Sequence, residues 1–306
     1  MNGLTDIKYL SNNEIDREKW DRCIEKAGNG LIYSFSFYLD HMARNWDALV
    51  LNDYEAVFPL TWNKKYSIYY LYQPFLAAQL GLTGNPIDAA LLDSFLKAIP
   101  SKFKYWDIFL NYKNVFPLKQ FELYKRINYI LDLGKPYEEL YTRYRTTTQR
   151  NIKKAIQAGC RIQRDVAVEK VIQLARQQMR SANSDINENI ERFRKLYSYL
   201  HPKQMAVTYG VFSEKDELLA SAVFFFSHNR AYYILVGNHP NGKVIGASHA
   251  LIDAFIKDHA GKKLWLDFEG SDIRNLAFFY SSFGAVEENF AGIRLNRLPF
   301  YLKWMK

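Results

Sequence analysis

Apolar residues recur along this chain in two rhythms, runs of strand length and a helical spacing of 3.6 residues. From 47 to 72 the apolar runs are punctuated near Asn52-Asp53 and at Asn63-Lys64-Lys65. From 205 to 236 they are broken at Glu214-Lys215-Asp216 and His228-Asn229. Each stretch therefore predicts a meander of consecutive strands. A helix is predicted downstream of each. In the second, Ser248, Leu251, Ile252, Phe255, Ile256 and His259 fall at i, i+3, i+4, i+7, i+8 and i+11, one face suited to packing on a sheet.

The two helices also repeat in sequence. Ala90-Leu91-Leu92-Asp93-Ser94-Phe95-Leu96-Lys97 matches Ala250-Leu251-Ile252-Asp253-Ala254-Phe255-Ile256-Lys257 at five of eight positions, at an offset of 160. The flanks follow suit. Tyr69-Tyr70 and Tyr232-Tyr233 lie upstream of the two copies, and Lys104-Tyr105-Trp106 and Lys263-Leu264-Trp265 downstream. Each half thus reads as a meander, a helix and a further strand, which predicts an α/β chain of the mixed-sheet, α+β kind built by internal duplication. A length of 306 residues agrees with two domains, taken as 1–140 and 141–306.

Composition narrows the function classes. The longest apolar candidate, Leu218 to Phe226, is strand-sized and contains Ser221, and Met1 to Tyr9 has Asp6 and no apolar signal core, so a cytoplasmic chain without a transmembrane segment is expected. Two cysteines and six scattered histidines lack metal-ligand spacing, so no metal is expected. A formal charge of +9 favours an anionic partner, a small phosphate-bearing or nucleotide-linked substrate or RNA, unless it is only a basic solvated surface.

Three segments carry candidate chemistry. Asn238 to Ser248 reads as a loop feeding a helix N-terminus, where Lys243 and the amides of Gly246, Ala247 and Ser248 could hold a pyrophosphate, or where the small residues only shape a turn. Trp265, Asp267 and Glu269 alternate along a strand, so both carboxylates share a face as general-base candidates, or else are solvated or paired with Arg274. A short helix then carries Leu276, Phe279, Tyr280 and Phe283 at i, i+3, i+4 and i+7 and ends at Gly284. Tyr280 on its inner face is either a proton donor to a leaving group or a core residue. Separately, Tyr141 to Cys160 holds five basic residues and no acidic one. On one wheel Arg143, Arg150 and Lys154 align, with Lys153 beside them, as a phosphate-binding stripe or a solvated helix face.

The order strand, Lys243-x-x-Gly246-x-Ser248, helix, strand, Asn275-x-Ala277-x-Phe279-Tyr280-x-x-Phe283-Gly284 resembles the GNAT superfamily. With the duplication, the Arg150-Asn151-Ile152-Lys153-Lys154-Ala155 helix and Asp267-Phe268-Glu269-Gly270-Ser271, the chain looks like FemAB-type transferases. The resemblance spans nearly the whole chain. It implies two tandem GNAT-like domains, with transfer of an acyl or aminoacyl group to an amine in the second. Acyl-CoA or aminoacyl-tRNA would be the donor, and a peptidoglycan precursor is a candidate acceptor. Lys243, Gly246 to Ser248 and Asn275 would bind the donor, with Asp267, Glu269 and Tyr280 catalytic and Arg143, Arg150, Lys153 and Lys154 on the substrate. Departures at Lys243, Ser248 and Ala285 from the family pattern weigh against CoA as the donor and favour a non-catalytic binding module, which stands as an alternative beside a CoA-dependent N-acetyltransferase.

Overall fold

The computed structural model describes residues 6–179, 184–270 and 272–299. Ser271 of the Asp267-to-Ser271 motif and residues 1–5 of the amino-terminal stretch lie outside them. The described chain forms two compact units, residues 6–126 with 289–299, and residues 127–288. The sequence expectation cut the chain once, at 140/141; here two long strands carry the chain out of the first unit and back into it.

The first unit runs β1 (Ile7–Leu10), α1 (Arg17–Lys26), α2 (Ser36–Met42), β2 (Asn45–Leu51), β3 (Ala56–Lys65), β4 (Ile68–Tyr72), β5 (Thr83–Gly84), α3 (Ala89–Ala98) and β6 (Phe103–Phe109). Strands β1 to β4 pair antiparallel in sequence order, and after α3 the chain returns as β6, parallel to β4. The β3–β4 turn falls at Tyr66-Ser67, both at positive φ, and not at Asn63 to Lys65. The paired register Asn63↔Tyr70 to Lys65↔Ile68 extends the strands through those polar residues. One face of α3 is buried through Leu92, Phe95 and Leu96, against Phe58 and Phe103 among others.

The second unit continues with β7 (Leu123–Asp132), α4 (Tyr137–Thr142), α5 (Thr146–Gln157), β8 (Arg161–Arg164), α6 (Val168–Gln178), α7 (Ser184–Leu200), β9 (Ala206–Phe212), β10 (Leu218–Ser227), β11 (Arg230–Asn238), α8 (Pro240–Ile245), α9 (Ala247–His259), β12 (Trp265–Asp267) and α10 (Arg274–Ser281). The last strand, β13 (Val286–Asn296), leads back into the first unit. Strands β8 to β11 form an antiparallel meander, α9 crosses over, β12 lies parallel to β11, and β7 pairs antiparallel with β12. In the first unit β13 pairs antiparallel with β6. Helices α3 and α9 thus occupy the same topological place in their units, between the fourth meander strand and its parallel neighbour, as the offset repeat predicts.

The tight turn at His228-Asn229, both at positive φ, sets the β10–β11 register. On one face of this sheet, Phe224, Tyr233, Leu251, Phe255 and Phe268 close a core, with the Phe224 and Phe255 rings stacked at 3.8 Å. Among the described residues no helix is long and apolar enough to cross a membrane.

Candidate transfer site in the second unit

Strand β12 pairs with only the first three residues of β11, Arg230↔Trp265 to Tyr232↔Asp267, while β11 runs on to Asn238. The two strands therefore part after Tyr232. On its other side β11 is paired with β10 from Arg230 to Asn238, with one irregularity that leaves Ile234 out of the register. Among the described residues, 233–238 have no strand neighbour on the β12 side. The fork presents an open strand edge of the kind that an extended ligand can pair with.

Helix α10 places Tyr280 in this region. Its ring is 8% exposed, stacks on Phe268 at 4.7 Å, and meets Tyr233 edge-on and Tyr129 tilted, each at 6.4 Å. Burial, then the nearby Glu269 carboxylate, push the Tyr280 pKa well above the ordinary phenol value, so the phenol keeps its proton at neutral pH. Phe283 is buried with it, but Leu276, expected on the same inner face, is exposed.

The alternation read through Trp265, Asp267 and Glu269 stops earlier than the sequence indicates. Strand β12 ends at Asp267, and Glu269 takes a left-handed conformation with φ 62°. The two carboxylates therefore part company. Asp267 is buried and pairs with Arg230 at 2.7 Å, not with Arg274, and also accepts from Asn128 at 2.9 Å and from the Glu269 amide at 2.8 Å. A carboxylate with both oxygens so engaged is poorly placed to take a proton from substrate. Glu269 is half-buried.

The segment expected as an open phosphate loop is a helical turn. Pro240–Ile245 form α8, and exposed Lys243 lies within it. Gly246, at φ +84°, both ends α8 and opens α9. Its N–H donates to the Gly242 carbonyl, and a Cβ there would sit 2.4 Å from the Asn151 carbonyl oxygen. The close approach that demands glycine is thus made by α5. Ala247 is fully buried, and the Ser248 hydroxyl donates to the Asn238 side chain. Asn275 is exposed in the first turn of α10.

The basic stripe also divides. Arg143 ends α4, outside α5, and pairs with Glu139 at 2.6 Å. Lys154 donates at 2.9 Å to the Val244 carbonyl, closing the last turn of α8. Arg145 lies over the Phe278 ring at 4.3 Å. Arg150 and Lys153 are exposed on α5.

Two groups that the sequence reading passed over stand out. Arg230 opens an otherwise apolar strand, a buried charge that calls for buried partners. His249, in the first turn of α9, lies 3.3 Å from Asn151 and edge-on to Phe279 at 4.8 Å, and burial lowers its pKa to about 4. A histidine held neutral stabilises the fold fully above its unfolded pKa of about 6.5, and this is lost as pH falls toward 4, where the unfolded chain takes up the proton first. Between pH 7 and 4.5 the wild type is expected to lose about 2 kcal/mol more stability than His249→Gln, measured by urea unfolding. Equal losses would show that His249 is not held neutral.

Among the described residues no three or more His, Cys, Asp or Glu side chains gather as metal ligands. Residues 142–272 match the model of the acetyltransferase (GNAT) domain family. The matched segment contains the motif at 243–248, and the motif at 275–284 follows directly after it. The fold of the chain is similar to the crystal structure of FemX, over 93% of this chain and 96% of that one, with a TM-score of 0.62 at 13% identity. L-PGS from Bacillus licheniformis is similar over 95% of each chain, with a TM-score of 0.53 at 12% identity. A conserved protein of unknown function from Bacteroides thetaiotaomicron covers 95% of this chain and 99% of its own, with a TM-score of 0.58 at 12% identity. At these identities the likeness is one of fold. No curated protein matches the sequence.

Proposed function

We propose that this chain transfers an acyl or aminoacyl group to an amine, and that transfer occurs where β11 and β12 part. The observation that carries the proposal is the pairing, at the mouth of an open strand edge, of a half-buried carboxylate, Glu269, with a buried phenol, Tyr280, held protonated. In this reading the donor lies along the β11 edge with its carbonyl beside Tyr280. Glu269 accepts a proton from the incoming amine, the amine nitrogen forms the new bond to the carbonyl carbon, and Tyr280 protonates the departing sulfur or oxygen as that bond breaks. No covalent enzyme intermediate is needed.

The GNAT match supports acyl transfer, and the fold shared with FemX supports the FemAB-type version, in which the donor is aminoacyl-tRNA and a cell-wall precursor is a candidate acceptor. A putative lysylphosphatidylglycerol synthetase domain from Agrobacterium fabrum has a similar fold, with a TM-score of 0.54 at 8% identity, which adds a lipid-linked acceptor to the range to be tried. Arg150 and Lys153, with Asn275 and Lys243, remain the exposed candidates for donor phosphates. A binding module without catalysis is favoured by one feature, the internal engagement of Gly246 and Ser248.

The test is a screen of acyl-CoA and aminoacyl-tRNA donors against amine acceptors, with products read by mass spectrometry in the wild type and in Tyr280→Phe. Transfer that falls at least tenfold in the variant is expected. If tRNA is the donor, its affinity should fall with salt at a log-log slope of roughly 1.4 to 1.8, because Arg150 and Lys153 each contribute roughly 0.7 to 0.9. Tight donor binding with no product from any acceptor supports the module instead. Full turnover by Tyr280→Phe removes the phenol from the chemistry.

A further inference from the structure

Behind Glu269 lies a buried charged cluster whose partners come from four separate stretches of the second unit. Arg230, at the start of β11, reaches Asp267 on β12 at 2.7 Å and grips both oxygens of Glu288, at 2.5 and 2.9 Å. The Asn128 side-chain amide, from β7, donates to Asp267 at 2.9 Å and to Glu288 at 3.3 Å. All four are shielded: Asn128 is fully buried, Asp267 is 2% exposed, and the Arg230 and Glu288 side chains are 10% and 12% exposed. Removing charges from water is costly, and a cluster of this kind is a poor source of stability compared with apolar packing. Its retention beside the fork calls for another account.

The backbone supplies one. One residue beyond Asp267, after Phe268, the chain turns through two left-handed residues, Glu269 at φ 62° and Gly270 at φ 82°. For a residue with a Cβ this conformation is strained and persists only where its surroundings impose it. Two contacts impose it here. The Glu269 amide donates to Asp267 Oδ1 at 2.8 Å, and Gly270 lies against the β7 backbone, where a Cβ would stand 2.6 Å from the Ile127 carbonyl oxygen. Asp267 can hold the amide only while its own carboxylate is fixed, and Arg230 and Asn128 fix it from two sides.

We propose that Arg230, Asn128 and Glu288 are positioning residues, which act through Asp267 to hold the strained turn at Glu269 and so aim its carboxylate toward Tyr280. This rests on the reading of Glu269 as the base that accepts the amine proton. The cluster itself touches neither donor nor acceptor. It converts the ion pairs of a sheet interior into a fixed direction for one side chain at the sheet's open end.

The test uses the full chain with Asn128→Ala and Arg230→Lys, changes that leave Asp267 in place but loosen its grip. Exchange of the Glu269 amide with deuterated solvent is followed by NMR, alongside kcat, KM and the pH profile of transfer with the donor and acceptor found active in the screen. The Glu269 amide is expected to exchange at least tenfold faster in both variants, relative to amides in β10. A reduction in kcat of about 10- to 100-fold with KM for the donor unchanged is expected, as for a displaced catalytic group. The acid limb of the pH profile should shift in both variants. Wild-type amide protection in both variants would overturn the proposal, whatever happens to turnover. So would faster exchange accompanied by wild-type kcat and pH profile, provided that Glu269→Gln abolishes transfer. If Glu269→Gln itself turns over normally, the base reading fails and with it the aim assigned to the cluster, while the exchange data still show separately whether the clamp holds the turn.

Discussion

Gly246→Ala is expected to destabilise the second unit by about 3 kcal/mol. Two costs add. A residue with a Cβ at φ +84° is strained by roughly 1–2 kcal/mol. The new Cβ would also lie 2.4 Å from the Asn151 carbonyl oxygen and 2.9 Å from its carbon, backbone atoms of α5 that cannot rotate away, and such overpacking costs roughly 1–3 kcal/mol. Gly261 provides the matched control. It has a similar φ of +77° and nothing within 4 Å of the added atom, so Gly261→Ala should show the strain alone. Urea unfolding of the two variants separates the terms. The same comparison bears on function, because a glycine required by α5 packing predicts a loss of stability, whereas one required by close approach of a donor phosphate predicts a loss of donor affinity in a stable protein. Equal, small destabilisation at both positions would contradict the packing account.

Helix α9 was legible because its burial follows the 3.6-residue spacing almost position by position, from Leu251 and Ile252 to Phe255, Ile256 and His259. The meanders were legible for a similar reason, since polar pairs such as His228-Asn229 mark tight turns. The exception at Asn63 to Lys65 is instructive: polar residues there lie within paired strands, and the turn is made by the next two residues, Tyr66-Ser67, whose turn signal is weaker than that of the Asn63-Lys64-Lys65 run. The motifs at 243–248 and 275–284 led to the GNAT class, and the match over 142–272, which contains the first of them, bears out the class.

The details of the candidate site were less accessible. Alternation assigns Asp267 and Glu269 to one face only while the backbone stays extended, and the left-handed turn at Glu269 is held by Asp267, whose own partners are Arg230 and, 139 residues from it in sequence, Asn128. A helical wheel joined Arg143 to Arg150 and Lys154 because it carries no sign of the break between α4 and α5. Gly246 was noticed for the right property, its lack of a side chain, but what approaches it is a neighbouring helix. Arg230 did leave a mark, a lone cation opening the run Ala231 to Val236, and a search for charges inside apolar strands would have found it.

The most direct test of the account is single-turnover transfer by Glu269→Gln at saturating donor. Glutamine preserves the size of the side chain and its ability to hydrogen-bond but cannot accept a proton, so loss of turnover with retained binding isolates proton transfer from substrate positioning. The rate constant is expected to fall by about 10²- to 10⁴-fold, the usual contribution of a positioned general base, with donor affinity unchanged and with the thermal transition close to that of the wild type. Transfer by Glu269→Gln at the wild-type rate would contradict the assignment of the reaction to the fork between β11 and β12.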